Sequence, residues 1–127
     1  TEGIRRIIRE RYLTDSTVTI VLVGTETHKR KHVDWEIGAS LRNTANNVRS
    51  GLLGILLPSY QQTMSKPNTY DSDTIPPRLR DNVNCGYAKL YSWSNDAEDV
   101  AGWIHDAFNR RSTIEPDNSH PNFVYNR

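Results

Sequence analysis

The sequence holds a single cysteine, Cys85, which excludes an intrachain disulfide framework and a multi-cysteine metal site. A reduced, cytoplasmic setting is the expectation that follows. No apolar stretch approaches the ~20 residues that a membrane span needs. Charged residues interrupt the apolar positions after Gly3, so there is no signal-peptide core either. A charge excess is also missing: 16 Lys and Arg oppose 15 Asp and Glu, for a formal +1. A dedicated nucleic-acid or polyanion binder usually carries a clear basic surplus. Large apolar residues are scarce, with Leu, Ile, Val and Phe making up 28 of the 127 positions. That share lies just above the ~20% level where disorder sets in, and disorder also wants a high net charge. One domain is expected, and so few apolar residues must be concentrated to build its core.

They are concentrated. Val18-Thr19-Ile20-Val21-Leu22-Val23, ending at Gly24, and Leu52-Leu53-Gly54-Ile55-Leu56-Leu57, ending at Pro58, are apolar without strict alternation. Strands buried on both faces read this way, and they belong to parallel sheets covered by helices. Between them Val33, Ile37 and Leu41 form a helical stripe over His32–Leu41. Strand, helix and strand in this order, with a long connection, predict a right-handed parallel crossover. Upstream, Ile4, Ile7, Ile8 and Tyr12, backed by Arg5, Arg6 and Arg9, predict an amphipathic helix. Downstream, Tyr87–Trp93 reads as a shorter third strand. Asn95 with Glu98 then reads as a capping box for a last helix carrying Val100, Ile104, Ala107 and Phe108. Residues 59–86 are turn-rich, and a connection of that length is usually functional or mobile. From Ser112 an extended tail is expected, pinned by Phe123 and Tyr125. There is no internal repeat and no low-complexity tract. The run from Val18 to Val23 looks like a central strand lacking a neighbour. Either an N-terminal strand–helix unit has been removed or another chain supplies it.

These residues resemble a known family. Asp15 to Gly24 is similar to the strand that opens the signature of the TIR-like domain family containing the Thoeris anti-phage sensor protein. Thr25-Glu26-Thr27, the basic Lys29-Arg30-Lys31 and Val33-Asp34-Trp35-Glu36-Ile37 resemble its next motif, a hydroxyl-rich loop leading into a helix that carries a Glu. Leu52–Leu57, Ile75-Pro76-Pro77-Arg78-Leu79, Asp81-Asn82 and Tyr87–Trp93 are similar to later landmarks, so the resemblance runs over roughly residues 4 to 110. It implies an α/β, flavodoxin-like TIR-type parallel sheet flanked by helices, with the usual N-terminal strand–helix unit apparently lacking. A TIR-like domain is expected over residues 1–111 and an extended tail over 112–127. The family cleaves NAD at the nicotinamide–ribose bond, and the Thoeris sensor makes a cyclic ADP-ribose isomer as a signal. NAD would be substrate rather than cofactor. Assembly through TIR surfaces into a homo-oligomer and a phage-derived trigger are the implied partners. The strand of aromatic and Ser residues that lines the NAD pocket in relatives has no counterpart here, and His32 stands where many relatives have Trp.

By this resemblance the catalytic carboxylate is Glu36. Chemistry gives the same residue a plausible task. Ligands of parallel α/β sheets bind beyond the carboxyl ends of the strands, and Glu36 follows the strand end at Gly24 by twelve residues. Breaking the nicotinamide bond develops positive charge on the ribose, as in glycoside hydrolysis, and a fixed carboxylate stabilises it. Nicotinamide leaves a pyridinium as a neutral molecule, so one carboxylate suffices in principle. A solvated helix Glu is the competing reading. Trp35 is a candidate to stack on a flat cationic ring, against packing in the core or on a partner helix. Thr25 and Thr27 stand where phosphate or ribose would be bonded, against ordinary loop-forming Thr. Lys31 and His32 belong to His28-Lys29-Arg30-Lys31-His32, the dense basic patch. That patch suits a pyrophosphate, an acidic partner or a merely solvated loop, with nucleic acid disfavoured because no second basic stripe accompanies it. His28 and His32 have metal-compatible spacing but no third ligand nearby, so no metal is expected. Asp81-Asn82 reads as a lid or a turn, Cys85 as a buried inert thiol, and Trp93 and Trp103 as core. Two other functions stay open: a non-catalytic TIR-like interaction module, and an enzyme resembling nucleoside deoxyribosyltransferases, which also sets a carboxylate near a ribose.

Overall fold

The computed structural model describes residues 7–12, 16–43 and 48–127. The elements follow the order β1 (Ile7–Tyr12), β2 (Ser16–Val23), α1 (Lys31–Ser40), β3 (Gly51–Leu56), α2 (Pro58–Gln61), α3 (Pro77–Asn84), β4 (Ala88–Ser92) and α4 (Ala97–Arg110). The four strands lie in sequence order in one sheet. β2, β3 and β4 run parallel, with Val18 opposite Gly51 and Leu52 opposite Ala88. The flanked parallel sheet of a flavodoxin-like TIR-type fold is therefore present.

The two apolar runs divide their side chains between the faces, as alternate residues of a strand must. On one face Val21 and Val23 of β2 and Leu52 and Leu56 of β3 meet Val33, Ile37 and Leu41 from α1 and its end, with Leu79 of α3. On the other, Val18, Ile20, Leu53 and Ile55 meet Ala107, flanked by Trp103, Ile104 and Phe108 of α4. Each such aliphatic side chain contributes about 1.5–3 kcal/mol when fully buried, so this small set of residues is enough to define the core. Two glycines let the layers approach. A Cβ on Gly51 would stand 2.5 Å from the carbonyl oxygen of Ala107 in α4, and one on Gly54 would stand 2.9 Å from Leu79 Cδ2 of α3. Tyr87 closes the core's lower end, donating its hydroxyl to the Ser50 carbonyl at 2.6 Å. Burial pushes that phenol up to about 12, against the pull of Arg49, Arg111 and Arg110. Stability is therefore lost as pH rises from 10 towards 12, where the unfolded chain ionises first.

Several expectations need correction. Residues Ile7 to Tyr12 form a strand rather than a helix, pairing antiparallel with β2 from Ile7 opposite Val21 to Tyr12 opposite Ser16. Ile4, Arg5 and Arg6, the rest of that expected helix, lie outside the described residues. The reason is the edge of β2, whose unpaired N–H and C=O groups are better satisfied by a neighbouring strand than left open. The missing neighbour is thus β1 itself, and no helix precedes β2 among the described residues. The turn-rich stretch contains α3, which Pro77 starts at a helix position where its missing N–H is harmless. The cap of α4 is Asp96, accepting from the Glu98 N–H at 2.9 Å, while Asn95 accepts from the Trp93 indole. Trp93 is 45% exposed, because it stands one residue past β4 where no helix covers the sheet. Trp103 does pack inward, stacked on Tyr91 at 4.3 Å. Cys85 is exposed at the end of α3 rather than buried in a loop. Asp81 and Asn82 lie on α3 and form neither lid nor turn. Phe123 is buried as expected of a tail pin, whereas Tyr125 is exposed.

Candidate functional site

The carboxyl ends of β2, β3 and β4 converge on one edge, where the Leu57 N–H reaches the Val23 carbonyl and the Trp93 N–H reaches the Leu56 carbonyl. After β2 the chain turns through Gly24–Arg30. Thr27 shapes this turn: it is buried, and its hydroxyl accepts the Gly24 N–H at 2.8 Å. Thr25 is exposed beside it. Lys29 pairs with Glu26 at 3.3 Å. The buried Nδ1 of His28 has no hydrogen-bond partner among the described residues. Burial, then Lys29, lower the pKa of that imidazole, while Glu26 and Asp71 oppose them. As pH falls through the histidine range the unfolded chain is protonated first, so the fold loses stability there. Asp71 belongs to the 62–76 connection. That segment is held by Tyr60, whose hydroxyl accepts the Asp71 N–H and contacts Thr74 Oγ1 at 2.6 Å.

α1 begins at Lys31, so Glu36 falls in its second turn. Its outer face carries His32, Trp35 and Glu36, all exposed. Glu36 and His32 are one turn apart and so share that face. His32 meets Trp35 edge-on at 5.4 Å, and the Lys31 ammonium lies 5.4 Å from the same indole. Lys31, His32 and Trp35 are thus brought together next to Glu36, while Thr27 is committed to its own turn. Trp35 is not core. It is 42% exposed, and its indole N–H donates to the Phe123 carbonyl at 2.8 Å.

The inner face of α1 holds a residue that sequence reasoning missed. Asp34 is 2% exposed and accepts from Arg78 Nε and Nη2 at 3.1 and 3.2 Å. Its Oδ2 also accepts the Phe123 N–H at 2.9 Å. Arg78 spends its remaining donors on the side chains of Asn118 and Asn122. Asn118 donates onward to the Gly38 carbonyl, and Asn82 exchanges hydrogen bonds with the backbone of Asp117. This network joins α1, α3 and the segment after α4. Spacing alone carried one signal: Asp34 stands between Val33 and Ile37 on the stripe that faces the sheet, seven positions before Leu41. Among the described residues no group of three His, Cys, Asp or Glu side chains is gathered to hold a metal. No described helix is long and apolar enough to cross a membrane.

No curated protein and no solved structure matches the chain. A family model does match, over a stretch that runs from β1 through α2 and includes the Gly24–Arg30 turn and all of α1; the landmarks from Ile75 to Trp93 lie beyond it. Over residues 1–62 the chain matches the model of the family described as Thoeris protein ThsB, TIR-like domain.

Proposed function

We propose that this chain is a TIR-like NAD-cleaving enzyme of anti-phage defence, either a NAD glycohydrolase or a synthase of a cyclic ADP-ribose isomer. The TIR-like Thoeris domain supports the defence role. The observation that carries the chemistry is Glu36: an exposed carboxylate in the second turn of the helix that follows β2, near the carboxyl edge of a parallel sheet. In this reading Glu36 faces the nicotinamide-bearing ribose. Its charge offsets the positive charge that grows on the sugar as the bond to nicotinamide lengthens. The pyridinium nitrogen keeps the bonding pair and leaves neutral, so no acid has to protonate it. Water at the vacated carbon yields ADP-ribose, while attack by an atom of the same molecule yields a cyclic isomer. Lys31 and the exposed Thr25 are the candidates for the pyrophosphate and ribose hydroxyls, and the Trp35 indole, with His32 edge-on beside it, is the candidate surface for a ring. Thr27 contributes by holding the turn. NAD is substrate here, with no resident cofactor. A homo-oligomer formed through TIR surfaces in the cytoplasm, in response to a phage-derived trigger, is the accompanying proposal.

The test is nicotinamide release from NAD by the wild-type chain and by Glu36→Gln. Release that disappears in the variant supports the enzyme. Absence of release in every oligomeric state leaves the interaction module, and ribosyl exchange between nucleosides without nicotinamide release favours the deoxyribosyltransferase-like alternative.

A further inference from the structure

The chain leaving β2 enters α1 and the chain leaving β3 reaches α3, and both helices pack on the face that holds Val21, Val23, Leu52 and Leu56. The chain leaving β4 enters α4, which packs on the opposite face, against Val18, Ile20, Leu53 and Ile55. β3 and β4 are neighbours in the sheet, so their connections part to opposite faces. In open α/β sheets a ligand crevice forms beyond the carboxyl ends of the strands at such a switch point. The connection leaving β3 leans away from β4, since its Asp71 acts electrostatically on His28 in the turn after β2.

Trp93 stands at this point. Its N–H donates to the Leu56 carbonyl at 3.1 Å, so it continues β4 beside the end of β3, and its indole is exposed. Asn95 Oδ1 accepts the indole N–H at 2.9 Å, which satisfies the polar edge of the ring and fixes its orientation. The loop is braced as well: Ser94 donates its hydroxyl to Asp99 at 2.7 Å and accepts the Asp96 N–H at 3.0 Å. Trp103 is stacked on Tyr91, and Trp35 has His32 and Lys31 beside its ring. No ring or cation of the described residues lies on Trp93. A braced indole with its face in water suits a flat ring that stacks on it. Asp96, Glu98 and Asp99, all exposed at the start of α4, repel phosphate, while carboxylates accept ribose hydroxyls. The chemistry fits a nucleoside rather than a pyrophosphate. We propose that Trp93 is the platform of a nucleoside subsite at the switch point between β3 and β4, on which the adenine of the dinucleotide stacks. The choice of adenine rests on the NAD reading above, in which Glu36 claims the nicotinamide-bearing ribose. β2 and β4 lie two inter-strand steps apart, about 10 Å, a separation that an extended dinucleotide bridges.

Two measurements on the intact chain test this. Titration with adenosine should quench tryptophan fluorescence saturably in the wild type and in Trp35→Phe, and the quenching should vanish in Trp93→Ala. In nicotinamide release, the second measurement, NAD is compared with nicotinamide mononucleotide, which lacks the adenylate half. Trp93→Ala should lower the preference for NAD, as a ratio of kcat/KM values, by roughly 5- to 150-fold, the weakening that loss of one base–aromatic stack produces. Trp93→Phe retains a ring and should keep most of the preference. A purely structural Trp93 would depress both substrates alike and leave the ratio where it was. An unchanged ratio, a wild type that adenosine does not quench, or quenching that persists in Trp93→Ala overturns the subsite while leaving the enzyme standing. Quenching through Trp93 by nicotinamide mononucleotide but not by adenosine overturns the adenine assignment. If no form releases nicotinamide the NAD reading falls, and the adenosine titration by itself decides the nucleoside subsite.

Discussion

Asp34 and Glu36 are two acids, two residues apart, on one short helix, and they inhabit opposite worlds. Asp34 points under α1 into a dry polar junction, 2% exposed and ligated by Arg78 and the Phe123 N–H. Glu36 lies on the outer face with His32 and Trp35. A separation of two on a helix rotates the side chains about 200°, so one acid had to face the sheet if the other faced water. The pair shows how one short helix can hold one acid in the interior and another at the surface. The inner acid fixes where α1 sits. The outer acid stands on the exposed face of the same helix.

Breaking the inner side should have the largest effect. Asp34→Ala strands the Arg78 guanidinium without its carboxylate, and removing one partner of a buried pair typically costs about 3–5 kcal/mol; chemical denaturation should show a loss of that size. Asp34→Leu combined with Arg78→Met removes both charges. It should destabilise less than the sum of the two single changes, with a coupling of about 1–3 kcal/mol by double-mutant cycle. Some loss will remain, because Asn118, Asn122 and the Phe123 N–H also lose partners. On the outer side, Trp35→Phe keeps the ring but deletes the donor to the Phe123 carbonyl, a loss of about 1 kcal/mol, read as a small drop in Tm. Glu36→Gln, which keeps the side chain's size and its hydrogen-bonding capacity, should abolish nicotinamide release in the proposed reaction while the protein stays folded. If Glu36→Gln instead unfolds the protein, or Asp34→Ala leaves it stable, the division of labour is wrong.

Much of the fold was legible because the code involved is local. The runs at 18–23 and 52–57 are apolar on both faces, and only a strand inside a covered parallel sheet uses such a run well. α1, β4 and α4 were legible within a few residues for the same reason. Where reading failed, the deciding partner was distant. Ile7, Ile8 and Tyr12 suit a helical stripe, yet the unpaired edge of β2 draws them into a strand. Asn95 and Asp96 are equally good caps by residue type, and the chain path selects Asp96. Cys85 and Trp93 have apolar character but stand past the ends of α3 and β4, where nothing covers them. At the candidate site, the position of Glu36 followed from helical phase. The commitment of Thr27 to its own turn and of Trp35 to the Phe123 carbonyl did not.

What the sequence by itself determined is the order β2, α1, β3, β4 and α4, the doubly covered sheet, and the placing of an acidic side chain in the second turn of α1, because each depends on residues within a turn or a strand of one another. What only tertiary structure decided is which polar groups are removed from water. Arg78, Asn118 and Asn122 look like surface residues in any local window. They lie beside Asp34 because α3 and the 117–123 segment pack against α1, and a buried charge survives only where such remote partners converge.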